Sequence, residues 1–322
     1  MKDFLCIGST SVDLFLKDDK FEKDLSGFVM GNKYDVSDYF IRIGGSAYNT
    51  ASFFSGLGCK TGLMTCVSDK YYGKLICSKV RKQKNLTAKL VEVNKHIKTS
   101  FSVILLSKTN ERIILKNSAF ARGFHFRENA LKQYMAICLS SLNGRGDVWE
   151  KVFRHVGKTN KFLSINPGAK DFDFLKNNLE YLRLVDVFVL NIDEASIFSG
   201  ISKKEVFKIL NYFSMLFDGV FIMTMGKKGS YVCCKDEKYM CGIYEGQDVK
   251  DMTGAGDAFY SGFVLAYYLY MDIEFALRIG NMNAYECVGE IGASESLLTF
   301  KKYLSSFWDD KFDKLKIERI YE

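Results

Sequence analysis

The chain has 322 residues, of which 48% are hydrophobic and 26% are charged, and its formal net charge is +7. This composition is typical of a globular protein and excludes a disordered chain, which would be poorer in apolar residues. The longest apolar run, at 262–271, has ten residues, whereas a membrane-spanning helix needs about 20. We therefore expect no segment that spans a membrane.

Short apolar runs alternate with amphipathic stretches along most of the chain. The apolar runs predict strands over 4–8, 61–67, 135–140, 162–165, 185–190 and 220–224. The amphipathic stretches predict helices over 46–57, 72–84, 148–156, 172–182 and 203–216. Later, 229–234 and 238–243 predict an antiparallel pair of strands, and 255–270 and 273–288 predict two long helices. Apolar strands separated by helices are typical of an α/β protein whose parallel sheet is covered on both faces.

Two regions interrupt this alternation. Residues 89–116 alternate apolar and polar side chains around a turn at Thr109-Asn110, which predicts a hairpin with one apolar and one polar face. Residues 14–42 are irregular and rich in strand-forming residues. We expect 14–42 and 89–118 to form a small β-sheet lid, inserted in a single α/β domain over 1–322. It would cover the carboxyl edge of the sheet, where open α/β sheets bind ligands.

Other patterns exclude several kinds of site. The nine cysteines contain no CxxC pair and the three histidines lie far apart, so neither a zinc site nor dithiol chemistry is indicated. The N-terminus lacks the pattern of a signal peptide, which predicts free thiols in the cytoplasm. The basic cluster at 79–84 lacks interleaved aromatic residues, so we expect a solvated helix face and no nucleic-acid partner.

The sharpest motif is the turn Thr253-Gly254-Ala255-Gly256, which opens into an apolar helix. Its backbone N–H groups can surround an anion, and the helix dipole adds positive charge at the same point. Asp257 falls in the first turn of that helix, where we expect it to be ionised. It either accepts a proton from an attacking hydroxyl or only caps the helix.

Two known phosphate-binding motifs do not fit this turn. A dinucleotide fingerprint would need a third glycine where Phe259 stands, and it would follow the first strand of the chain. The Walker sequence GxxxxGK[ST] does not occur.

The segment DMTGAGDAFYSG at 251–262 resembles the C-terminal signature of the PfkB carbohydrate kinases, a ribokinase-like family. The N-terminal signature GGxxxN is also present, in GGSAYNTA at 44–51. Weaker family motifs lie in the expected order, with NIDE at 191–194 resembling NxxE, TMGKKG at 224–229 resembling TxGxxG, and Gly8 and Asp13 matching GxxxxD. The similarity runs from about Gly8 to Ser296. It implies a three-layer α/β/α ribokinase-like fold with a mainly parallel central sheet.

The resemblance assigns substrate binding to Asp13, Gly44, Gly45 and Asn49. Glycines let the backbone approach a polyhydroxy ligand, and Asn49 offers both a donor and an acceptor to neighbouring hydroxyls. From the residues alone, a packing glycine pair, a helix-start asparagine and a turn aspartate are the favoured interpretations.

The resemblance assigns the nucleotide to Asn191, Thr224, Gly226, Gly229 and, more weakly, Asn281. It assigns Mg²⁺ to Glu194, a hard oxygen ligand that can act through water. A rival interpretation is that Asn191 and Glu194 form a helix-capping pair.

The family often uses a monovalent cation near the anion hole. Asp251 and Thr253 match one side of that site, and Gly292 and Ser296 would supply the other, which implies K⁺. Tyr48 stands where relatives have a small residue, so it either packs under the sheet or shapes the substrate pocket.

Together these features predict an ATP-dependent kinase, with Mg²⁺, that phosphorylates a hydroxyl of a sugar or nucleoside. Asp257 would be the catalytic base, and Gly254, Ala255 and Gly256 would form the anion hole. The alternatives are a non-catalytic sugar or nucleotide sensor on the same fold and a kinase of phosphosugars. The exposed edges of the lid predict a homodimer that pairs through it.

Overall fold

The structure is a computed structural model that describes residues 3–18, 21, 29–107, 112–119, 123–306 and 310–320. Its strands are β1 (Asp3–Ile7), β2 (Ser11–Lys17), β3 (Asp38–Gly44), β4 (Lys60–Val67), β5 (Leu86–Thr87), β6 (Val91–Val93), β7 (Ser100–Leu106), β8 (Arg112–Asn117), β9 (Ala136–Ser140), β10 (Phe162–Asn166), β11 (Val187–Asn191), β12 (Val220–Thr224), β13 (Ser230–Cys234), β14 (Glu237–Cys241) and β15 (Ile317–Ile320). Its α-helices are α1 (Ser46–Gly56), α2 (Tyr71–Lys82), α3 (Gly146–Thr159), α4 (Phe172–Lys176), α5 (Ile192–Ser199), α6 (Val206–Ser214), α7 (Ala255–Tyr270), α8 (Ile273–Cys287), α9 (Phe300–Ser306) and α10 (Asp310–Asp313).

The central sheet has the strand order β15-β14-β13-β12-β11-β10-β9-β1-β4-β5, with β6 beside β4. The strands from β12 to β5 along this order run parallel. The strands β13, β14 and β15 continue the sheet in antiparallel pairs. Because parallel strands end at one edge, Asn191 of β11 and Thr224 of β12 lie side by side at the carboxyl edge.

Helices cover both faces of this sheet. Alternate residues of β1 point to opposite sides, as the two-residue period of a strand requires. Phe4 belongs to the apolar core formed with α1, α7 and α8, and Leu5 belongs to the core formed with α3, α5 and α6. Burial of each large apolar side chain contributes roughly 1.5–3 kcal/mol. These two cores confirm the predicted α/β fold with a mainly parallel sheet between two layers of helices.

A second sheet has the order β3-β2-β7-β8, and we call it the lid sheet. In it β2 pairs antiparallel with β3 and parallel with β7, and β7 pairs antiparallel with β8. Of the region 89–118, β6 pairs with β4 of the central sheet, and β7 and β8 lie in the lid sheet. The predicted turn at Thr109-Asn110 lies outside the described residues, as do 19–20 and 22–28 of the region 14–42.

Most predicted elements are confirmed, and two have the predicted bounds, namely β12 and α7. The predicted helix over 172–182 is wrong, because α4 ends at Lys176 and a 3₁₀ helix covers Leu179–Leu184. The side chain of Asn178 donates to the carbonyl of Phe174 at 2.8 Å, and such a side-chain bond competes with the helical backbone pattern. The strand β15 was not predicted.

In the described part of the chain, no helix combines the length and the apolar character needed to cross a membrane.

Candidate active site

The start of α7 presents a set of backbone N–H groups that precede the helical hydrogen-bond pattern. Gly254 precedes the helix with φ +82°, and a Cβ at this position would lie 2.1 Å from the Cβ of Ala293. The N–H of Ala255 donates to the carbonyl of Met252 at 3.3 Å. Within the described residues, the N–H groups of Gly254, Gly256 and Asp257 donate to no protein oxygen. Three of the four N–H groups are therefore available to an anion.

Asp257 lies in the first turn of α7 and is half-buried. The side-chain amide of Asn49, in the first turn of α1, donates to its Oδ2 at 2.8 Å. The hydroxyl of Ser46 also donates to this carboxylate. Two helix starts that come from distant parts of the chain thus fix the orientation of one acid.

The environment of Asp257 changes its acidity in opposing ways. Burial raises the pKa of Asp257 above its ordinary value, while the hydrogen bonds from Asn49 and Ser46 and the charge of Lys116 lower it. The net direction of the pKa is upward, whereas the helix start was expected to favour the ionised form. A carboxylate with a raised pKa is a stronger proton acceptor once ionised.

Asp13 lies within β2 of the lid sheet, and not in the turn that the sequence also allowed. It is 6% exposed, and the hydroxyl of Ser11 donates to its Oδ1 at 2.9 Å. Ser102 of β7 also donates to it, although burial is the larger effect and raises its pKa.

The glycine pair lies at the end of β3, the strand that pairs with the Asp13 segment, because Gly44 is its last residue and Gly45 follows it. A Cβ on Gly44 would lie 2.0 Å from Oδ2 of Asp13, and a Cβ on Gly45 would lie 2.6 Å from the carbonyl oxygen of Ser9. Gly45 also has φ +96° and immediately precedes α1. These glycines bring the backbone of β3 against Asp13 and start the helix that carries Asn49.

A second acid, Asp251, joins the turn before α7 to the loop after α8. It is fully buried, its Oδ1 accepts from the N–H of Thr253 at 2.8 Å, and its Oδ2 accepts from the N–H of Gly292 at 3.1 Å. Within the described residues, the buried hydroxyl of Thr253 has no hydrogen-bond partner. Ser296 is half-buried four residues further along the same loop. The structure therefore brings Asp251, Thr253 and Gly292 together.

Glu194 and Asn191 form the capping box that was the rival interpretation. The N–H of Glu194 donates to Oδ1 of Asn191 at 2.9 Å, and the N–H of Asn191 donates to Oε2 of Glu194 at 3.0 Å. Burial raises the pKa of Glu194, and the charge of Asp257 adds to this effect. The charge of Asp257 therefore acts on Glu194, so capping and a role at the site are compatible.

Some of the residues predicted to bind the nucleotide lie at the edge of the sheet, and one is buried in the core. Thr224 ends β12, and Gly226 and Gly229 have positive φ values of +56° and +84° in the turn that follows. Asn281 is only 5% exposed, and its amide donates to the sulfur of Cys241 and to the carbonyl of Leu277. The side-chain nitrogen of Asn281 is thus engaged inside the core.

Tyr48 is 1% exposed and packs in the core under the sheet.

Four residues near the carboxyl groups were missed by the sequence interpretation. Ser46 follows the glycine pair directly, so its position in the motif was a usable signal. Ser102, Lys116 and Arg42 lie on the lid sheet, and only the pairing of its strands shows that they face Asp13. Arg42 also ties the lid to the loop after α8, because its Nε donates to the carbonyl of Ile291 at 3.1 Å.

A cavity of about 210 Å³ opens at the junction of β3, α2 and the loop after α8. Arg42 and Glu295 lie on its wall, whereas Asp13 and Asp257 do not. This cavity is therefore not the place where Asp13 and Asp257 lie.

A sequence model of the pfkB family carbohydrate kinases matches residues 1–299. The chain belongs to this family. It is 25% identical to a nucleoside kinase of Methanocaldococcus jannaschii over 99% of both chains, and 25% identical to a ribokinase of Haemophilus influenzae over 94% of this chain and 97% of that protein. Among solved structures, Arabidopsis thaliana ribokinase, described in complex with ribose and ATP, superimposes with a TM-score of 0.78 at 19% identity, over 94% of this chain and 97% of that one.

Membership of the pfkB family makes the protein a phosphotransferase with a hydroxyl group as acceptor, in the class of sugar and nucleoside kinases. The superposition confirms the ribokinase-like fold that the motifs implied.

Proposed function

We propose that this pfkB-family protein transfers the γ-phosphoryl group of ATP to a hydroxyl of a sugar or nucleoside, with Asp257 as the catalytic base. The observation that carries the proposal is the start of α7. There an acid oriented by Asn49 lies beside the N–H groups of Gly254, Gly256 and Asp257, which have no protein acceptor among the described residues. A base and an anion hole next to each other suit the transfer of a phosphoryl group to an alcohol.

The acceptor would bind between the lid sheet and α1. Asp13 accepts hydrogen bonds from sugar hydroxyls, and the glycine pair Gly44-Gly45 lets the ligand approach the backbone without a Cβ in the way. Asn49 lies between the acceptor and Asp257, so it can orient both. The nucleoside kinase and ribokinase relatives support an acceptor of this class.

In the chemical step, the acceptor oxygen forms a bond to the γ-phosphorus while the bond from that phosphorus to the bridging oxygen of ADP breaks. The leaving ADP oxygen keeps the electron pair of that bond. The proton of the acceptor hydroxyl goes to the carboxylate of Asp257. The free N–H groups of Gly254 and Gly256 would stabilise the negative charge on the transferring group.

ATP would lie along the turn after β12. Gly226 and Gly229 shape this turn, and Thr224 and Asn191 end the neighbouring strands beneath it. Asn281 lies on α8, where it would be near the adenine of ATP, although its amide nitrogen is engaged in the core.

A Mg²⁺ ion fits the carboxylate of Glu194, which is half-buried and whose acidity responds to the charge of Asp257. Among the described residues, no group of three His, Cys, Asp or Glu side chains is arranged to hold a metal by itself. Glu194 would therefore act through water on an ion that the ATP phosphates also hold. When bound, this ion would neutralise charge on the phosphates.

A monovalent cation such as K⁺ fits the pocket of Asp251, because the buried Thr253 hydroxyl has no partner in the described part of the chain. Asp251 and Thr253 would hold it with oxygens of the loop that contains Gly292 and Ser296. Such a cation would add positive charge behind the anion hole. Asp251 itself fixes the turn and the loop relative to each other.

We also propose that two copies of the chain pair through the lid sheet. The edge strands β3 and β8 expose Tyr39, Ile41 and Leu115 by 64%, 42% and 53%. Exposed apolar strands at the edges of a sheet favour pairing with another chain.

The test is an ADP-release assay with purified protein, ATP and a panel of ribose, fructose, adenosine and cytidine. We expect at least one acceptor to give acceptor-dependent ADP release. We expect Asp257→Asn to lower its turnover by about 10²–10⁴-fold while ATP binding persists. Ligand binding without ADP release for every acceptor would contradict the proposal, as would near-normal turnover by Asp257→Asn.

A further inference from the structure

One row of side chains crosses all four strands of the lid sheet. In the strand register, Arg42 of β3 pairs with Asp13 of β2, Asp13 pairs with Ser102 of β7, and Ser102 pairs with Lys116 of β8. Directly paired residues point to the same face of a sheet. Lys116 therefore shares the face of Asp13, about 10 Å from it across two strand spacings.

This face of the lid sheet is directed at the catalytic acid. The positive charge of Lys116 acts on the carboxyl group of Asp13, in the lid, and also on that of Asp257, at the start of α7. Coulomb interactions weaken with distance and with solvent screening. The ammonium group of Lys116 therefore borders the space between these two acids, which is where the acceptor would bind.

The two acids already have other partners. Ser11 and Ser102 donate to Asp13, and Asn49 and Ser46 donate to Asp257. Lys116 is exposed, and its ammonium group forms no ion pair or hydrogen bond with any residue in the described ranges. Among the described residues, its charge thus acts on the two acids without a direct bond to either of them.

Arg42, at the other end of the row, shows the opposite situation. Its guanidinium donates to the carbonyls of Ile291 and Ile41 and lies over the ring of Phe40. The row thus has one cation that serves the structure and one cation that faces the acceptor space.

We propose that Lys116 is a specificity-determining residue, and that it selects acceptors that carry an anionic group, a phosphate ester or a carboxylate, besides the hydroxyl that is phosphorylated. This inference rests on the proposed function, because it needs an acceptor between Asp13 and Asp257.

The chemistry of the row favours an anion as the partner of Lys116. Sugar hydroxyls find both acceptors and neutral donors in Asp13, Asn49 and Ser102. An ammonium group has three donors and a full charge, and its strongest hydrogen bonds are those to carboxylate or phosphate oxygens. A lid that covers the acceptor removes water, and the interaction of opposite charges then strengthens.

The alternative is that Lys116 only adjusts the acidity of Asp13 and Asp257. In that case its removal would affect every acceptor by the same factor. Loss of the positive charge would raise the pKa of Asp257 and move the acid limb of the pH–rate profile to higher pH for all acceptors alike. Selection of an anionic acceptor instead changes the ratio of kcat/KM between an anionic acceptor and its neutral counterpart.

The experiment compares the wild-type protein with Lys116→Met, Lys116→Arg and the control Lys74→Met. Lys74 is an exposed residue of α2, so the control removes the same charge elsewhere. Each protein is assayed for ADP release with ribose and ribose 5-phosphate, fructose and fructose 6-phosphate, and glucose and gluconate. The first two pairs test a phosphate ester and the third tests a carboxylate.

We expect the wild type to prefer the anionic member of at least one pair. For that acceptor, Lys116→Met should lower kcat/KM by about 10- to 100-fold, mainly by raising KM, and Lys116→Arg should retain most of the preference. The neutral member should change by less than about threefold, and Lys74→Met should behave as wild type. An unchanged thermal midpoint for Lys116→Met would show that folding is unaffected.

Two results overturn the inference and leave the proposed function intact. One is a wild-type preference for the neutral member of every pair, and the other is an equal loss for both members in Lys116→Met. Absence of acceptor-dependent ADP release with every compound, neutral and anionic, would instead overturn the proposed function and this inference with it.

Discussion

Asn49 and Asp257 are 208 residues apart in the chain, yet the side-chain amide of Asn49 donates a hydrogen bond to Oδ2 of Asp257 at 2.8 Å. The bond joins the first turn of α1 to the first turn of α7. It therefore couples the segment that begins with the glycine pair to the segment that holds the proposed anion hole. A residue predicted to bind the substrate is therefore hydrogen-bonded to the residue predicted to be the catalytic base.

Asn49→Ala should weaken catalysis and change its pH dependence. The substitution removes a donor to the Asp257 carboxylate, and hydrogen bonds to charged groups contribute about 1.5–3 kcal/mol, so we expect kcat/KM to fall about 10- to 100-fold. Burial already raises the pKa of Asp257, and the bond from Asn49 opposes that rise. Its loss raises the pKa further, so the acid limb of the pH–rate profile should move to higher pH.

Asn211→Ala serves as the control for this prediction, because Asn211 is an exposed residue of α6 far from the site. Its pH–rate profile should match that of the wild type. An acid limb that stays in place in Asn49→Ala would show that the bond does not influence the base.

The two glycines of the proposed anion hole should respond differently to substitution by alanine. Gly254 has φ +82° and its Cβ would lie 2.1 Å from that of Ala293, whereas a Cβ on Gly256 would meet nothing within 4 Å. A left-handed conformation costs a residue with a Cβ about 1–2 kcal/mol, and overpacking adds about 1–3 kcal/mol. Gly254→Ala should therefore unfold at a lower temperature.

Gly256→Ala should keep the thermal midpoint of the wild type and still lose turnover. Its methyl group would extend into open space beside the free N–H groups, where we propose that the γ-phosphoryl group binds. For both glycine variants, the thermal midpoint is measured by circular dichroism and turnover is measured by ADP release. Full turnover by Gly256→Ala would place the phosphoryl group elsewhere.

The sequence predicted the framework better than the contacts at the site. Elements with a continuous apolar pattern, such as Val220–Thr224 and Ala255–Tyr270, have the predicted bounds because local periodicity determines them. The prediction of one helix over 172–182 was wrong because the Asn178 side chain interrupts the helix. The Asn49–Asp257 bond and the row from Asp13 to Lys116 depend on tertiary packing and on strand register, which no local pattern encodes.

Asp251→Asn should remove any response to monovalent cations and weaken the fold. Both oxygens of Asp251 accept hydrogen bonds from backbone N–H groups, those of Thr253 and Gly292. In the Asp251→Asn variant a nitrogen replaces one of these oxygens, and an amide nitrogen accepts no hydrogen bond. A buried N–H left without a partner costs about 1–3 kcal/mol. The free energy of unfolding in urea should fall by this amount.

The cation response is measured as turnover against KCl, with tetramethylammonium chloride as the control for ionic strength. We expect turnover of the wild type to rise with K⁺ alone and that of Asp251→Asn to be insensitive to it. Equal turnover of the wild type in both salts would mean that the pocket of Asp251 and Thr253 holds no cation of functional importance.

Pairing through the lid sheet predicts a charge-sensitive dimer. Leu115 of β8 is 53% exposed on the face opposite Lys116, so a charge there would meet apolar surface of the second copy and lose its hydration. We expect the wild type to have twice the 36.7 kDa mass of one chain in light scattering, and Leu115→Glu to have the mass of a monomer. Met215→Glu, at the end of α6 and outside the lid sheet, where Met215 is 86% exposed, should remain dimeric. A wild-type mass of a single chain would exclude pairing through the lid, and the acceptor site would then be complete in one copy.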